Sequence, residues 1–157
     1  MNDDVAFRAR REKILLRQIV RMFRLMNDET VARMQARGVV GMQPSYPRLL
    51  GNLDTEGTRI SALSKKMGVT RQAVAQLARE IEAAGFIERL PDPDDGRGVI
   101  IAFTPKGRST LALAVEVMDG IERDYASVIG DEEMERLKSS LKAILDHFDP
   151  LGAFGID

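Results

Sequence analysis

From Leu15 onward, apolar residues recur at three- and four-residue intervals in two parallel rows. Leu15, Ile19, Met22 and Met26 form one, and Leu16, Val20 and Phe23 the other, the periodicity of an amphipathic helix. Arg17, Arg21, Arg24 and Asp28 fall on the opposite side. No Pro or Gly interrupts the stretch from Val5 to Arg37, and Gly38 is a stop signal, so the spacing predicts one long helix over residues 5–37. At the helical rise such a rod is roughly 50 Å long, against about 40 Å for the diameter of a compact globule of this size. A second chain is expected to cover it.

Beyond Gly38 the pattern shortens. A small helix is predicted from Ser45 to Leu53, with Pro47 in its first turn. Ser61 is the expected N-cap of another, in which Leu63 and Met67 face one way before Gly68 ends it. Two residues later Thr70 is placed to cap a third. There Val74, Leu77, Ala78 and Ile81 recur at i, i+3, i+4 and i+7 until Gly85. Two strand-like runs, Phe86 to Leu90 and Val99 to Phe103, are separated by the polar stretch Pro91 to Gly98, which predicts a hairpin with a polar loop.

Thr104-Pro105 pairs an N-cap with proline at the first helical position. It opens a helix to about Ile129 along Leu111, Val115, Met118, Ile121, Tyr125 and Val128. After Gly130, Asp131 is the expected cap of a last helix. Its stripe is Met134, Leu137, Leu141, Ile144, Leu145 and Phe148, with Glu132 and Glu133 favourable at its N-terminal dipole and Pro150 beyond its end. The predicted fold class is mainly α with a small β-hairpin wing.

A length of 157 residues suits one domain, and 44% hydrophobic with 30% charged residues is an ordinary globular balance. The absence of cysteine excludes disulfides, thiolate metal sites and thiol chemistry. One histidine, His147 near a helix end, cannot form a cluster within the chain and reads as a surface or capping residue. No apolar run approaches a bilayer-spanning length, and the start Met1-Asn2-Asp3-Asp4 does not read as a signal peptide, so a cytoplasmic protein with no membrane partner is expected.

The net charge of −1 conceals an uneven division: +4 over residues 1–38, −1 over 39–58, +3 over 59–108 and −7 over 109–157. A near-neutral total therefore leaves room for an anionic partner, because attraction to a polyanion depends on a local positive face. The opposite charges of Arg8, Arg10, Arg11 and Lys13 and of Asp131, Glu132, Glu133 and Glu135 can meet across a dimer interface, or be simple solvated faces.

Two short helices joined at a glycine turn and followed by a hairpin have the order of a winged helix-turn-helix. Leu63, Val69, Val74 and Leu77 supply apolar contacts between the helices, leaving Arg71, Gln72, Gln76 and Arg79 on the outward side of the second. Gln can pair bidentately with adenine in the major groove, and Arg with guanine or a phosphate. A solvated polar face is the bland alternative for one helix by itself. It is outweighed by the ordered set of glycine turn, capped helix, hairpin and arginine at the hairpin tip.

In these residues the chain resembles the MarR family of winged helix-turn-helix transcriptional regulators. Residues 60–74 look like its helix-turn-helix. Asp92-Pro93-Asp94-Asp95-Gly96-Arg97, then Val99 to Phe103 and Thr104-Pro105-Lys106-Gly107, look like its wing and wing exit. The resemblance implies one domain over 1–157, with dimerisation helices at 5–37 and 105–148 around a winged helix-turn-helix at 58–104. It also implies a homodimer on a palindromic double-stranded DNA operator. DNA contacts are expected from Ser61, Thr70, Arg71, Gln72, Ala73, Gln76 and Arg79. In the wing, Arg97 is expected to approach the minor groove with Asp95 steadying it. Gly96 departs from the arginine common between them in the family. Effectors of such proteins, often aromatic acids, bind between the dimerisation helices and the DNA-binding lobe, which points to Met42, Tyr46 and Arg48 as ligand residues.

Asp92, Asp94 and Asp95 invite a calcium-loop reading, but numbering from Asp92 puts Gly96 at position 5 and Phe103 at 12, where the motif needs Gly at 6 and Glu at 12. At least one of these aspartates is instead expected to pair with Arg97 or another local cation, since three uncompensated carboxylates would repel DNA. No metal site or cofactor is predicted. With no phosphate-binding glycine loop and no nucleophile with a paired base, an enzyme is not expected. The leading expectation is a dimeric, ligand-responsive, sequence-specific transcriptional regulator, and the alternative is a winged-helix module for protein interaction or architecture.

Overall fold

The computed structural model describes residue 7 and residues 10–149. Its elements run α1 (Leu15–Ala36), α2 (Pro47–Leu50), β1 (Thr58–Arg59), α3 (Ile60–Met67), α4 (Arg71–Ala83), β2 (Ile87–Asp92), β3 (Asp95–Phe103), α5 (Pro105–Ile129) and α6 (Asp131–Phe148). The expected class, mainly helical with a small β wing, is the observed one.

The long first helix is shorter than its periodicity predicts. Residues 10–12 are helical, but Ile14 is extended at φ −66° and ψ 124°, and α1 starts afresh at Leu15. Its 22 residues span about 33 Å. Val5 and Arg8, and Pro150 with the tail after it, lie outside the described residues. Only Thr30, Val31 and Met34 of α1 are buried, with Met26 packed part-buried against the core. Both predicted apolar rows are real, yet Leu15, Leu16, Ile19, Val20, Met22 and Phe23 all face outward on the single chain. On α6 only Met134 is buried, and the rest of the predicted stripe, Leu137 through Phe148, is exposed. Helical periodicity reports an apolar face; it does not say which chain covers it.

The core lies where α2, α3, α4 and the sheet meet α5. Leu49, Leu63, Val74, Ala78, Ile81, Phe86, Ile101 and Ile121 are all fully buried there. The hairpin is longer and tighter than expected: β2 and β3 run on to Asp92 and back from Asp95, with only Pro93 and Asp94 between them. Cross-strand pairing from Ile87↔Phe103 to Pro91↔Val99 carries the ladder through the stretch whose polarity reads as loop, with a register shift between Pro91 and Asp92. The unpredicted β1 completes an antiparallel sheet in the order β1-β3-β2, with Thr58↔Ile101 and Arg59↔Ile100. Two residues carry no alternation for periodicity to detect.

Three helix starts differ from expectation. The predicted helix over 45–53 is the single turn Pro47–Leu50. Ser61 is not an N-cap: pairing with Ile100 holds Arg59 extended as the cap residue, the helix begins at Ile60, and the Ser61 carbonyl accepts from Ser64 Oγ at 2.9 Å. Asp131 is likewise the first helical residue after Gly130 and makes no side-chain cap, although Asp131, Glu132 and Glu133 do occupy the first turn. Thr104 caps as expected, accepting from the Gly107 amide at 3.0 Å while donating to the Gly85 carbonyl at 2.7 Å. That hydroxyl joins the start of α5 to the turn that follows α4. Among the described residues no helix is long and apolar enough to cross a membrane.

Candidate nucleic-acid interface

The helix-turn-helix is built from two local devices. Gly68 is left-handed at φ 62° and ψ 34°, and its amide and that of Val69 donate back to the carbonyls of Lys65 and Ser64 at 3.1 Å each. A side chain at this φ is strained, so glycine is the residue that lets α3 turn directly into the next helix. Thr70 then accepts the Ala73 amide at 3.1 Å and starts α4. Leu63 and Met67 of α3 are buried with Val74, Ala78 and Ile81 of α4, while Val69 and Leu77 are partly buried against them.

This packing fixes the orientation of α4. Thr70, Arg71, Gln72, Ala73, Gln76 and Arg79 are exposed on its outward side, and Ser61, half-buried, lies in the first turn of α3. Among the described residues the Arg71 and Gln72 side chains have no partner. Gln76 is held within its own helix: Nε2 donates to Glu80 at 2.9 Å, and Oε1 accepts from Arg79 at 2.6 Å. An amide placed between a cation and a carboxylate can satisfy both only in this orientation. One N–H and one oxygen lone pair remain for a base edge.

The wing is tied to α4 by Glu82, which accepts from the Arg89 guanidinium at 2.7 Å and from its backbone amide at 3.2 Å. At the other end of the hairpin, Asp92 is buried and accepts from Arg59 Nε at 2.5 Å and Nη2 at 3.0 Å, while the same Nη2 reaches Asp94 at 2.8 Å. The expected local cation is therefore Arg59. Its hydrogen bond, helped by the Asp94 amide at 3.0 Å, holds the Asp92 carboxyl below the ordinary carboxylate range. Asp95 is exposed at the start of β3. Gly96 and Arg97 follow it on β3, and the side-chain surroundings of Arg97 lie outside what is described. Sequence reasoning missed Arg59; the available signal was the excess of wing carboxylates in need of a cation.

A cleft of about 290 Å³ opens between α1 and the helix-turn-helix, lined by residues that include Phe23, Asn27, Pro44, Arg48, Met67 and Leu77. Of the three expected ligand residues only Arg48 lines it. Met42 and Tyr46 are core residues instead. Tyr46 packs edge-on against Phe86, with ring centroids 6.3 Å apart, and its hydroxyl donates to the Glu80 carbonyl at 3.4 Å. Both belong to the buried cluster that also holds Leu49, Ala78, Ile81 and Phe86. No group of three or more residues suited to holding a metal occurs among the described residues.

Comparison with known proteins agrees with this geometry. A protein-family model described as MarR family matches residues 40–98, from the approach to α2 through the hairpin. The uncharacterized HTH-type transcriptional regulator YcgE of Bacillus subtilis is 30% identical over 139 residues, covering 76% of this chain and 90% of the relative. The crystal structure of the transcriptional regulator BldR from Sulfolobus solfataricus superposes with a TM-score of 0.66 at 27% identity, over 85% of this chain and 94% of that one. The Staphylococcus aureus MepR–DNA complex shares the fold with a TM-score of 0.65 at 19% identity, over 86% and 98%. With its capped recognition helix, glycine turn and hairpin wing in the same order, the chain belongs to the MarR family of winged helix-turn-helix transcriptional regulators.

Proposed function

We propose that the protein acts as a homodimer that binds a palindromic double-stranded DNA operator through α4 and the wing, and that a small aromatic acid modulates this binding. The observation that carries the reading is the outward face of α4. Arg71 and Gln72 stand there without partners among the described residues, and Gln76 is oriented by Arg79 and Glu80 with a donor and an acceptor to spare. The N-terminal part of a recognition helix enters the major groove, so Thr70 and Ala73 lie close to the DNA backbone while Gln72 and Gln76 face bases. Arg97, from the wing, approaches the minor groove.

Dimerisation is supported by the uncovered apolar faces of α1 and α6, among them Leu16 at 69% exposure, Phe23 at 61% and Leu145 at 61%. Monomers rarely leave contiguous apolar surface of that kind in water. Two recognition helices held by those faces fit half-sites about one helical turn, roughly 10 base pairs, apart.

The α1 cleft supports ligand control, because it lies between a helix of the proposed dimer interface and the helix-turn-helix. Arg48 is the cation for a ligand carboxylate. A ligand that prefers one spacing of the two lobes changes DNA affinity by its differential binding to the two states.

Selection of bound sequences from a random duplex library at two salt concentrations tests the reading. A palindrome with half-sites one turn apart is expected. Unordered sequence that vanishes as salt rises means counterion-release binding alone and sinks the proposal of sequence specificity.

A further inference from the structure

Arg59 stands at a junction. Its backbone ends β1 and caps α3, and its side chain lies against the far end of the hairpin. We propose that Arg59 is a positioning residue for DNA binding, acting through Asp92 to hold the wing tip that carries Arg97. The role in binding rests on the reading of the wing as a DNA contact; the hold on the tip does not.

Asp92 is built into the hairpin for this contact. Its side chain is 1% exposed, whereas that of Arg59 is 50% exposed, so the carboxylate has lost its water and depends on partners within the protein. Both its oxygens take the guanidinium, and Oδ1 also accepts the Asp94 amide at 3.0 Å. The two-residue turn is thereby suspended from Asp92. Opposite, Gly98 makes room: a Cβ there would stand 2.7 Å from Asp92 Cβ and 2.8 Å from Oδ2. The register shift between Pro91 and Asp92 is the backbone irregularity at the same place.

Charge argues the same way. A wing tip beside phosphate that carried Asp92 and Asp94 uncompensated would repel the DNA it approaches. One guanidinium engages both, and Arg suits the task better than Lys because its planar fork meets a carboxylate bidentately. Arg59 therefore fixes the tip relative to α3 and the recognition unit, and it removes the repulsion that would oppose docking.

Two measurements test this. With the operator recovered by duplex selection, Arg59→Ala and Arg97→Ala are each expected to weaken binding about tenfold, the loss of one good contact, and the double variant by clearly less than the product of the two losses. Additive losses would mean that Arg59 does not act through the tip. Arg59→Lys should recover only part of the loss, since it keeps the charge but not the fork; full restoration by Lys reduces Arg59 to charge neutralisation and overturns the positioning role.

In the DNA-free protein, hydrogen exchange of the Asp94 amide should accelerate in Arg59→Ala, with the amides of Val74 and Ile101 unchanged. An unchanged Asp94 amide, or acceleration at all three, overturns the local hold. If Arg97→Ala binds DNA like the unaltered protein, the wing-contact reading fails by itself, and the exchange data still decide whether Arg59 holds the tip.

Discussion

Arg48 donates from its guanidinium to the Met67 carbonyl across 2.9 Å, latching the one-turn α2 to the last turn of α3 beside the α1 cleft. A carboxylate entering the cleft competes with that carbonyl, and a charged acceptor is the stronger partner. Arg48→Ala is expected to weaken binding of an aromatic carboxylate such as benzoate by about 1.5 to 3 kcal/mol, the range for hydrogen bonds to charged groups. The neutral benzamide should bind both proteins alike. Calorimetric titration of the two ligands checks this, and equal loss of both would remove Arg48 as the carboxylate partner.

The Thr70 cap is expected to be a stability element as well as part of the DNA face. Thr70→Ala removes the acceptor of the Ala73 amide and should cost about 0.5 to 2 kcal/mol in chemical denaturation. Thr70→Ser retains the oxygen and should recover most of it. If Ala is no less stable than Thr, the α4 start does not depend on the cap.

Gln76→Ala should relax the base preference at one operator position by about 1 to 3 kcal/mol, measured by competition between the selected operator and single-base variants. Glu80→Ala is expected to act in the same direction more weakly, because it frees the Gln76 amide to turn. Uniform losses on every sequence would count against base reading.

Acid should weaken the protein through Asp92 and Asp54. Arg59 holds the first carboxyl below its ordinary value of 3.8, and Lys66, with Thr58, holds the second below the same value. A group whose pKa is lower in the folded than in the unfolded state stabilises the fold at pH above the unfolded value, and that contribution is lost as pH falls through the folded one. Stability is expected to be insensitive to these two groups from pH 7 to about 5, and to drop below about 4. Asp92→Asn should be less stable at neutral pH and show a shallower acid decline.

The apolar faces of α1 and α6 predict a change of assembly. Leu16→Glu with Leu145→Glu replaces exposed apolar side chains without touching the core. Sedimentation is expected to show a dimer for the unaltered protein and a monomer for the variant, with operator affinity falling in step. A persistent dimer would mean that these helices are not its interface.

Where one residue's backbone or hydroxyl sets an element boundary, the sequence by itself determined the outcome: Gly68 at the helix turn, Thr70 and Thr104 as caps, Pro105 at a first helical position and Gly130 between the last two helices. These are choices among few backbone states, made within about four residues. The apolar stripes of α4 and α5 were legible for the same reason.

Tertiary structure decided what depends on partners distant in the chain. Whether Ser61 or Arg59 precedes α3 is settled by Ile100 on another strand. Met42 and Tyr46 suit a ligand wall or a core equally by side-chain type, and both are taken into the buried cluster, Tyr46 edge-on against Phe86. Polarity read the hairpin's end as loop, yet the β2–β3 ladder extends through it, since main-chain pairing is indifferent to whether the side chain is Asp or Val. The cation that the wing carboxylates require was foreseeable in kind. Arg59 became its source only when the unpredicted β1 brought a residue 33 positions away in sequence against Asp92.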